Sequence, residues 1–125
     1  MKQRHIRHDD KLHDDEQLVV RGGLLLASVV RADAQRMFAI YSTFGISVFA
    51  LHDSSVDELA QEPPLVRFPQ LTLVTAGSLR SAGLLLEPTG RNPRHHTVTF
   101  LDLEAGIVAL LDCEHYVWDN PYHDP

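Results

Sequence analysis

A chain of 125 residues, 44% of them hydrophobic and only one a cysteine, has the size of one ordinary domain and needs no disulfide to hold its core. Its formal net charge of −6 excludes a general DNA-binding surface, which requires several phosphate contacts from one basic face. No apolar run approaches the roughly 18 residues of a membrane span. The first residues, Met1 to His5, lead into acid rather than into an apolar segment, so no secretory signal is expected. The expected compartment is the cytoplasm, which also suits the lone Cys113.

Residues 1–16 (MKQRHIRHDDKLHDDE) carry four basic and five acidic side chains, with Ile6 and Leu12 as aliphatic anchors. They read as a flexible charged arm ahead of a single domain over 17–125. Gln17 to Arg21 predicts a short strand closed by Gly22-Gly23. A helix follows over Leu26 to Tyr41, its apolar face expected at Leu26, Val29, Val30, Met37, Ile40 and Tyr41, with Arg31, Gln35 and Arg36 outward. Gly45 to Leu51 reads as a buried strand. Ser55-Val56-Asp57-Glu58 fits a capping box opening a short helix that Pro63-Pro64 forbid from continuing. Leu71 to Thr75 is a further strand, after which Thr75 caps a helix of one to two turns that stops at Gly83.

Leu84 to Glu87 and His96 to Leu101 predict a hairpin around an arginine-rich loop. Alternation in its second strand puts His96, Val98 and Phe100 on one face and His95, Thr97 and Thr99 on the other. Asp102 caps a last helix over Leu103 to Leu111, and the tail from His115 closes as a strand and a turn at Asp119-Asn120-Pro121. Strands and helices intermix with short connections, one of them a hairpin. The expected class is therefore α+β, with a mixed or mostly antiparallel sheet and three to four flanking helices. The glycine spacing of a dinucleotide-binding loop is missing after Arg21-Gly22-Gly23.

The densest chemistry lies in Pro88-Thr89-Gly90-Arg91-Asn92-Pro93-Arg94-His95-His96. Arg91 and Arg94 in a turn braced by proline and glycine are suited to gripping a phosphate or another anion. His95 beside them is the candidate catalytic residue, as a proton carrier for metal-independent chemistry on a phosphate ester. Arg21, at a strand end, is the third candidate anion-binding residue. Trp118 and Tyr122 are candidate contacts for a partner protein. His5, His8, Asp9, His13 and Asp14 include ligand types for zinc or nickel, but a charged tail of this kind binds metals opportunistically, so no metal or other cofactor is assigned. His95, His96, His115 and His123 would converge only if the two C-terminal strands were neighbours. Cys113, two residues before His115, reads as a buried and inert thiol.

An arginine at a strand end followed by glycine resembles the arrangement in ADP-ribosyltransferases, where such an arginine holds the nicotinamide dinucleotide. That resemblance implies that Tyr41-Ser42-Thr43 supplies the Ser-Thr pair and that Glu104 or Glu114 is the catalytic carboxylate. Ser42 lies only 21 positions after Arg21, precedes its strand, and is joined by no Glu-x-Glu or Gln-x-Glu pair. A second resemblance covers nearly everything after the arm. The segments VVRGG (19–23), YSTFGISVFAL (41–51), VDELA (56–60), LTLVTAGSLRSAGL (71–84), EPTGRNPRHHTV (87–98) and DNPYH (119–123) are similar to a family of small, uncharacterised proteins of high-GC bacteria. This likeness implies a compact cytoplasmic domain and supplies no catalytic residues.

Two functions are expected from these residues. The first is a toxin-like enzyme of a toxin–antitoxin or mobile-element module acting on RNA or on a phosphate-bearing cofactor, with Arg21, Arg91 and Arg94 holding the anion and His95 transferring protons. The alternative is a non-catalytic interaction subunit, antitoxin-like or an adaptor, that binds a partner from an adjacent gene through the arm and the Trp118/Tyr122 surface.

Overall fold

A computed structural model describes Leu12, residues 19–50 and residues 54–124. Six strands form one sheet in the order β4-β5-β2-β1-β3-β6. They are β1 (Val19–Gly22), β2 (Phe44–Phe49), β3 (Gln70–Val74), β4 (Leu85–Pro88), β5 (His95–Phe100) and β6 (His115–Asp119). Every pairing is antiparallel, so the fold is α+β with an antiparallel sheet. Four helices accompany it among the described residues: α1 (Ala27–Tyr41), α2 (Val56–Ala60), α3 (Ala76–Ser81) and α4 (Leu103–Asp112). A 3₁₀ turn spans Leu65–Arg67.

The helix ends follow local chemistry. The Ser55 hydroxyl accepts from the Glu58 N–H while the Glu58 carboxylate accepts from the Ser55 N–H, a complete capping box. Thr75 accepts from the Ser78 N–H, and Asp102 from the Ala105 N–H, at the starts of α3 and α4. Gly83, at φ 83°, ends α3 in the left-handed region that glycine enters without strain.

Alternation along the strands divides the core in two. Val19, Ile46, Val48, Val74 and Val98 face α1, α3 and α4. Val20, Phe49 and Leu71 face the other way, onto Leu59 and Ala60 of α2 and Leu65 of the 3₁₀ turn. Trp118 and Tyr122 pack partly buried against this second core.

The α1 stripe differs from expectation. Val30 and Ala34 are its buried residues, while Leu26, Val29 and Ile40 are 51%, 43% and 50% exposed. The helix carries apolar side chains around most of its circumference. The small Ala34, a turn beyond Val30, lets it lie close against the sheet, and that choice leaves Ile40 out of the core.

The arm expected over 1–16 lies outside the described residues, apart from Leu12. Leu12 is 7% exposed within the first core, and its carbonyl accepts a hydrogen bond from Arg80 at 3.0 Å. No helix among the described residues is long and apolar enough to cross a membrane.

Candidate functional site

The sheet opens between its two central strands. β2 runs beside β5 over its whole length, but it meets β1 only where Val20 lies opposite Phe49. Beyond that point β1 stays with β3, as far as Gly22 opposite Leu71. Gly22 makes this course possible, since a Cβ there would lie 2.4 Å from the Phe68 ring. The backbone of β2 is thereby left without its strand partner, and a side chain takes the partner's place. Arg21 Nη1 donates to the Ser47 carbonyl at 3.1 Å, while Nη2 donates to Asp33 of α1.

Asp33 is shared. Arg36, one turn further along α1, donates to its other carboxylate oxygen. Two guanidinium groups on one carboxylate leave a net positive charge at this point. The Arg21 side chain is 13% exposed and fixed by its two acceptors, whereas that of Arg36 is 66% exposed and held by Asp33. Arg36 therefore keeps the larger share of its five N–H donors for a further acceptor.

This cluster lines a cavity of about 350 Å³ whose walls include Met37, Ile40, Tyr41 and Ser47. A second cavity of about 120 Å³ shares Met37, Tyr41 and Ser47 with the first and continues to Thr89, Gly90, His95 and Thr97. The two cavities thus share walls, the first cationic at Arg21–Asp33–Arg36 and the second rich in hydroxyls where His95 sits.

His95 is oriented rather than loose. Its Nδ1 lies 3.0 Å from Thr89 Oγ1 and 3.2 Å from the Thr89 carbonyl. The carbonyl only accepts, which favours the hydrogen on Nδ1 in the neutral ring, while the hydroxyl can serve either tautomer. Thr89 Oγ1 in turn lies 2.7 Å from Thr97 Oγ1, and the imidazole meets the Phe49 ring edge-on at 5.5 Å between centroids. Gly90, at φ 74°, makes the turn that brings Thr89 back over His95.

The other sequence candidates lie elsewhere. Arg91 is exposed, and neither Arg91 nor Arg94 lines these two cavities. Arg94 Nη1 lies 3.8 Å from Glu62, and its buried Nε has no hydrogen-bond partner among the described residues. Asn92 donates to the same Glu62 carboxylate at 2.8 Å and accepts from the Arg94 N–H, so the loop is folded onto the α2 side of the sheet. The structure thus brings Arg21 beside Arg36 through Asp33, and Arg91 and Arg94 do not join them at the cavity walls. From sequence, periodicity places Arg36 on the outward face of the helix with no functional role.

The transferase-like constellation is not assembled. Ser42 is the left-handed cap of α1, at φ 61°. Glu104 is bound by Arg31 through hydrogen bonds of 2.6 and 3.0 Å, which hold its carboxyl below the usual carboxylate range. Glu114 accepts from the Tyr116 hydroxyl.

No group of three or more metal-binding side chains occurs among the described residues, and His5, His8, Asp9, His13 and Asp14 lie outside them. His95 and His96 belong to β5 while His115 belongs to β6, with β2, β1 and β3 between, so these histidines do not converge. His96 is buried, its Nδ1 3.3 Å from the Arg94 carbonyl.

Cys113 is 7% exposed, and its thiol donates to the carbonyls of Ala109 and Ser78. Burial, helped by the charge of Asp112, pushes the thiol up and away from the reactive thiolate. A surface depression of about 490 Å³ above it is rimmed by Asp112 and Glu114, the wrong charge for an anion. Trp118 and Tyr122 are half-buried, and the Tyr122 hydroxyl donates to Asp57 at 2.8 Å. The more exposed residues of that region are Tyr116 and Val117. No protein-family model matches the chain, and comparisons with curated proteins and with solved structures give no match.

Proposed function

We propose that the protein is a small enzyme acting on a phosphate-bearing small molecule held in the groove beside the gap between β1 and β2. Arg36 binds the phosphate. Arg21 fixes Asp33 and adds positive charge behind it. His95 gives or takes a proton at Nε2, on the part of the ligand that reaches the hydroxyl-lined end. The single observation that carries this reading is that the cationic cavity and the His95 cavity share Met37, Tyr41 and Ser47. Fixed donors beside a positioned imidazole are what acid–base chemistry on a phosphate ester requires.

Of the two ligand types expected from sequence, a free nucleotide or similar cofactor is favoured over RNA. A strand of RNA needs phosphate contacts along a basic face, and the chain is acidic at −6. The larger cavity, about 350 Å³, is instead at the lower end of the range for small ligands. Arg91, next to Gly90 in the turn, offers an exposed cation for a part of the ligand that projects from the groove.

Calorimetric titration with adenosine 5′-monophosphate as probe, together with release of inorganic phosphate or base from a panel of nucleotides, tests the reading. Arg36→Ala should weaken binding about tenfold or more, the loss of one to two charge-assisted hydrogen bonds. His95→Ala should lower turnover about a hundredfold or more while leaving affinity within about threefold. Binding unchanged by Arg36→Ala but abolished by Arg91→Ala and Arg94→Ala would move the anion site to the loop and overturn the assignment.

A further inference from the structure

The two edges of the sheet are not equivalent. On the β4 side, the Thr89 N–H donates to the His95 carbonyl, which fixes the alternation of that strand. Positions 85, 87 and 89 turn their main-chain groups toward β5, and positions 86 and 88 turn theirs outward. Position 88 is a proline with no N–H to offer, which blunts this edge.

On the β6 side, the Asn120 N–H donates to the Pro69 carbonyl, and the Gly23 N–H to the Gln70 carbonyl. With the β3–β6 register, both bonds fix the same alternation. Tyr116 and Trp118 bond toward β3, so His115, Val117 and Asp119 present N–H and C=O groups to the open edge. No proline or lysine interrupts this strand. After β6 the chain turns at Asn120 and runs to the 3₁₀ turn, where the Asp124 N–H donates to the Val66 carbonyl. Among the described residues no strand pairs with this edge.

We infer that this edge pairs with β6 of a second copy of the chain, antiparallel about a two-fold axis through Val117. The sequence of the strand, His115-Tyr116-Val117-Trp118-Asp119, is its own complement in that register. Val117 meets Val117 as a hydrogen-bonded pair, Tyr116 lies opposite Trp118, and His115 lies opposite Asp119. The aromatic pair falls on the α2 side of the sheet, where Trp118 already packs against the second core, and aromatic cross-strand pairs are among the favourable ones. Each acid then meets a non-acidic residue, Asp119 against His115 and Glu114 against Asn120. A register centred on Asp119 would instead set two carboxylates face to face. Tyr116 and Val117 are each 53% exposed in the single chain, so their burial is still to be gained.

An isologous contact of two short strands is small, and each copy carries a net charge of −6 that opposes association. The dimer is accordingly a weak one, at the low end of the interface size range. It lies at the opposite edge of the sheet from the β4–β5 hairpin and leaves the groove open.

Sedimentation velocity of the full chain from about 5 to 500 μM, spanning the range expected of a small contact, should show a reversible monomer–dimer equilibrium. Val117→Pro should weaken it at least tenfold. It removes an N–H that faces the open edge and costs no internal ladder bond, and the conformation that proline imposes on Tyr116 is already extended. Val117→Lys, which keeps the backbone N–H and sets two like charges on the axis, should have the same effect. Val117→Cys should cross-link to a dimer under mild oxidation, because hydrogen-bonded antiparallel pairs hold their Cα atoms at about 5.5 Å, within disulfide range. Asp119→Cys should not. A chain that stays monomeric throughout, a dimer that persists unchanged in the proline and lysine variants, or equal cross-linking at both cysteine positions would each overturn the proposal.

Discussion

Asp33→Ala should lower the free energy of unfolding by about 2–3 kcal/mol, a large share of the stability of a domain this size. Removing one partner of a buried ion pair costs about 3–5 kcal/mol because the remaining charge is stranded. The figure is smaller here because the Asp33 side chain is 27% exposed and that of Arg21 13%. Arg36 loses little, since its side chain can turn into water. Arg21 cannot turn out in this way without releasing the Ser47 carbonyl, which it serves in place of the missing β1 ladder. Urea denaturation of Asp33→Ala and of the double variant Arg21→Met/Asp33→Ala measures this directly. The double variant should recover about 1 kcal/mol, because a buried apolar side chain costs less than a stranded guanidinium, although the Ser47 carbonyl then lacks its donor. A change below about 0.5 kcal/mol for Asp33→Ala would mean that Arg21 is solvated and that the gap is not held by it. The same substitution removes the carboxylate that competes for Arg36, so nucleotide binding should tighten even as the fold weakens.

Ile46→Ala should cost about 3–4 kcal/mol, whereas Ile40→Ala should stay within about 0.5 kcal/mol. Ile46 is 1% exposed in the middle of β2, packed under α1 and α4, and the rigid strands around it cannot close the space left by three lost carbons. Ile40 is 50% exposed, at the wall of the cavity rather than in the core. Chemical denaturation midpoints of the two variants, compared at equal slope, separate the observed packing of α1 from the one its periodicity suggests. A larger loss at Ile40 than at Ile46 would restore the stripe that includes Leu26, Val29 and Ile40.

That contrast marks where the sequence was legible. The capping box at Ser55–Glu58, the Thr75 and Asp102 caps and the hairpin around Gly90 are fixed by residues within a few positions of one another, so pattern alone identifies them. The buried face of α1 depends on how closely the helix approaches the sheet, and nothing within the helix specifies that distance. The candidate site divides in the same way. Arg21 and His95 were legible because each ends or starts a strand beside a turn. Arg36 and Asp33 matter only because β1 leaves β2 after a single residue pair, a consequence of a strand order that departs from chain order. The cationic appearance of Arg94 was likewise misleading in part. Glu62, about thirty residues earlier, meets Arg94 from a turn that sequence spacing could not bring there.

Chemical-shift mapping of the ¹⁵N-labelled chain against adenosine 5′-monophosphate is the most direct test of the shared groove. Saturable shifts at the amides of Gly45, Ser47, Thr97 and Gly90, with the Arg36 side-chain signal moving in the same titration, are the predicted result. Shifts confined to the amides of Arg91 to Arg94, or none at millimolar nucleotide, would contradict it.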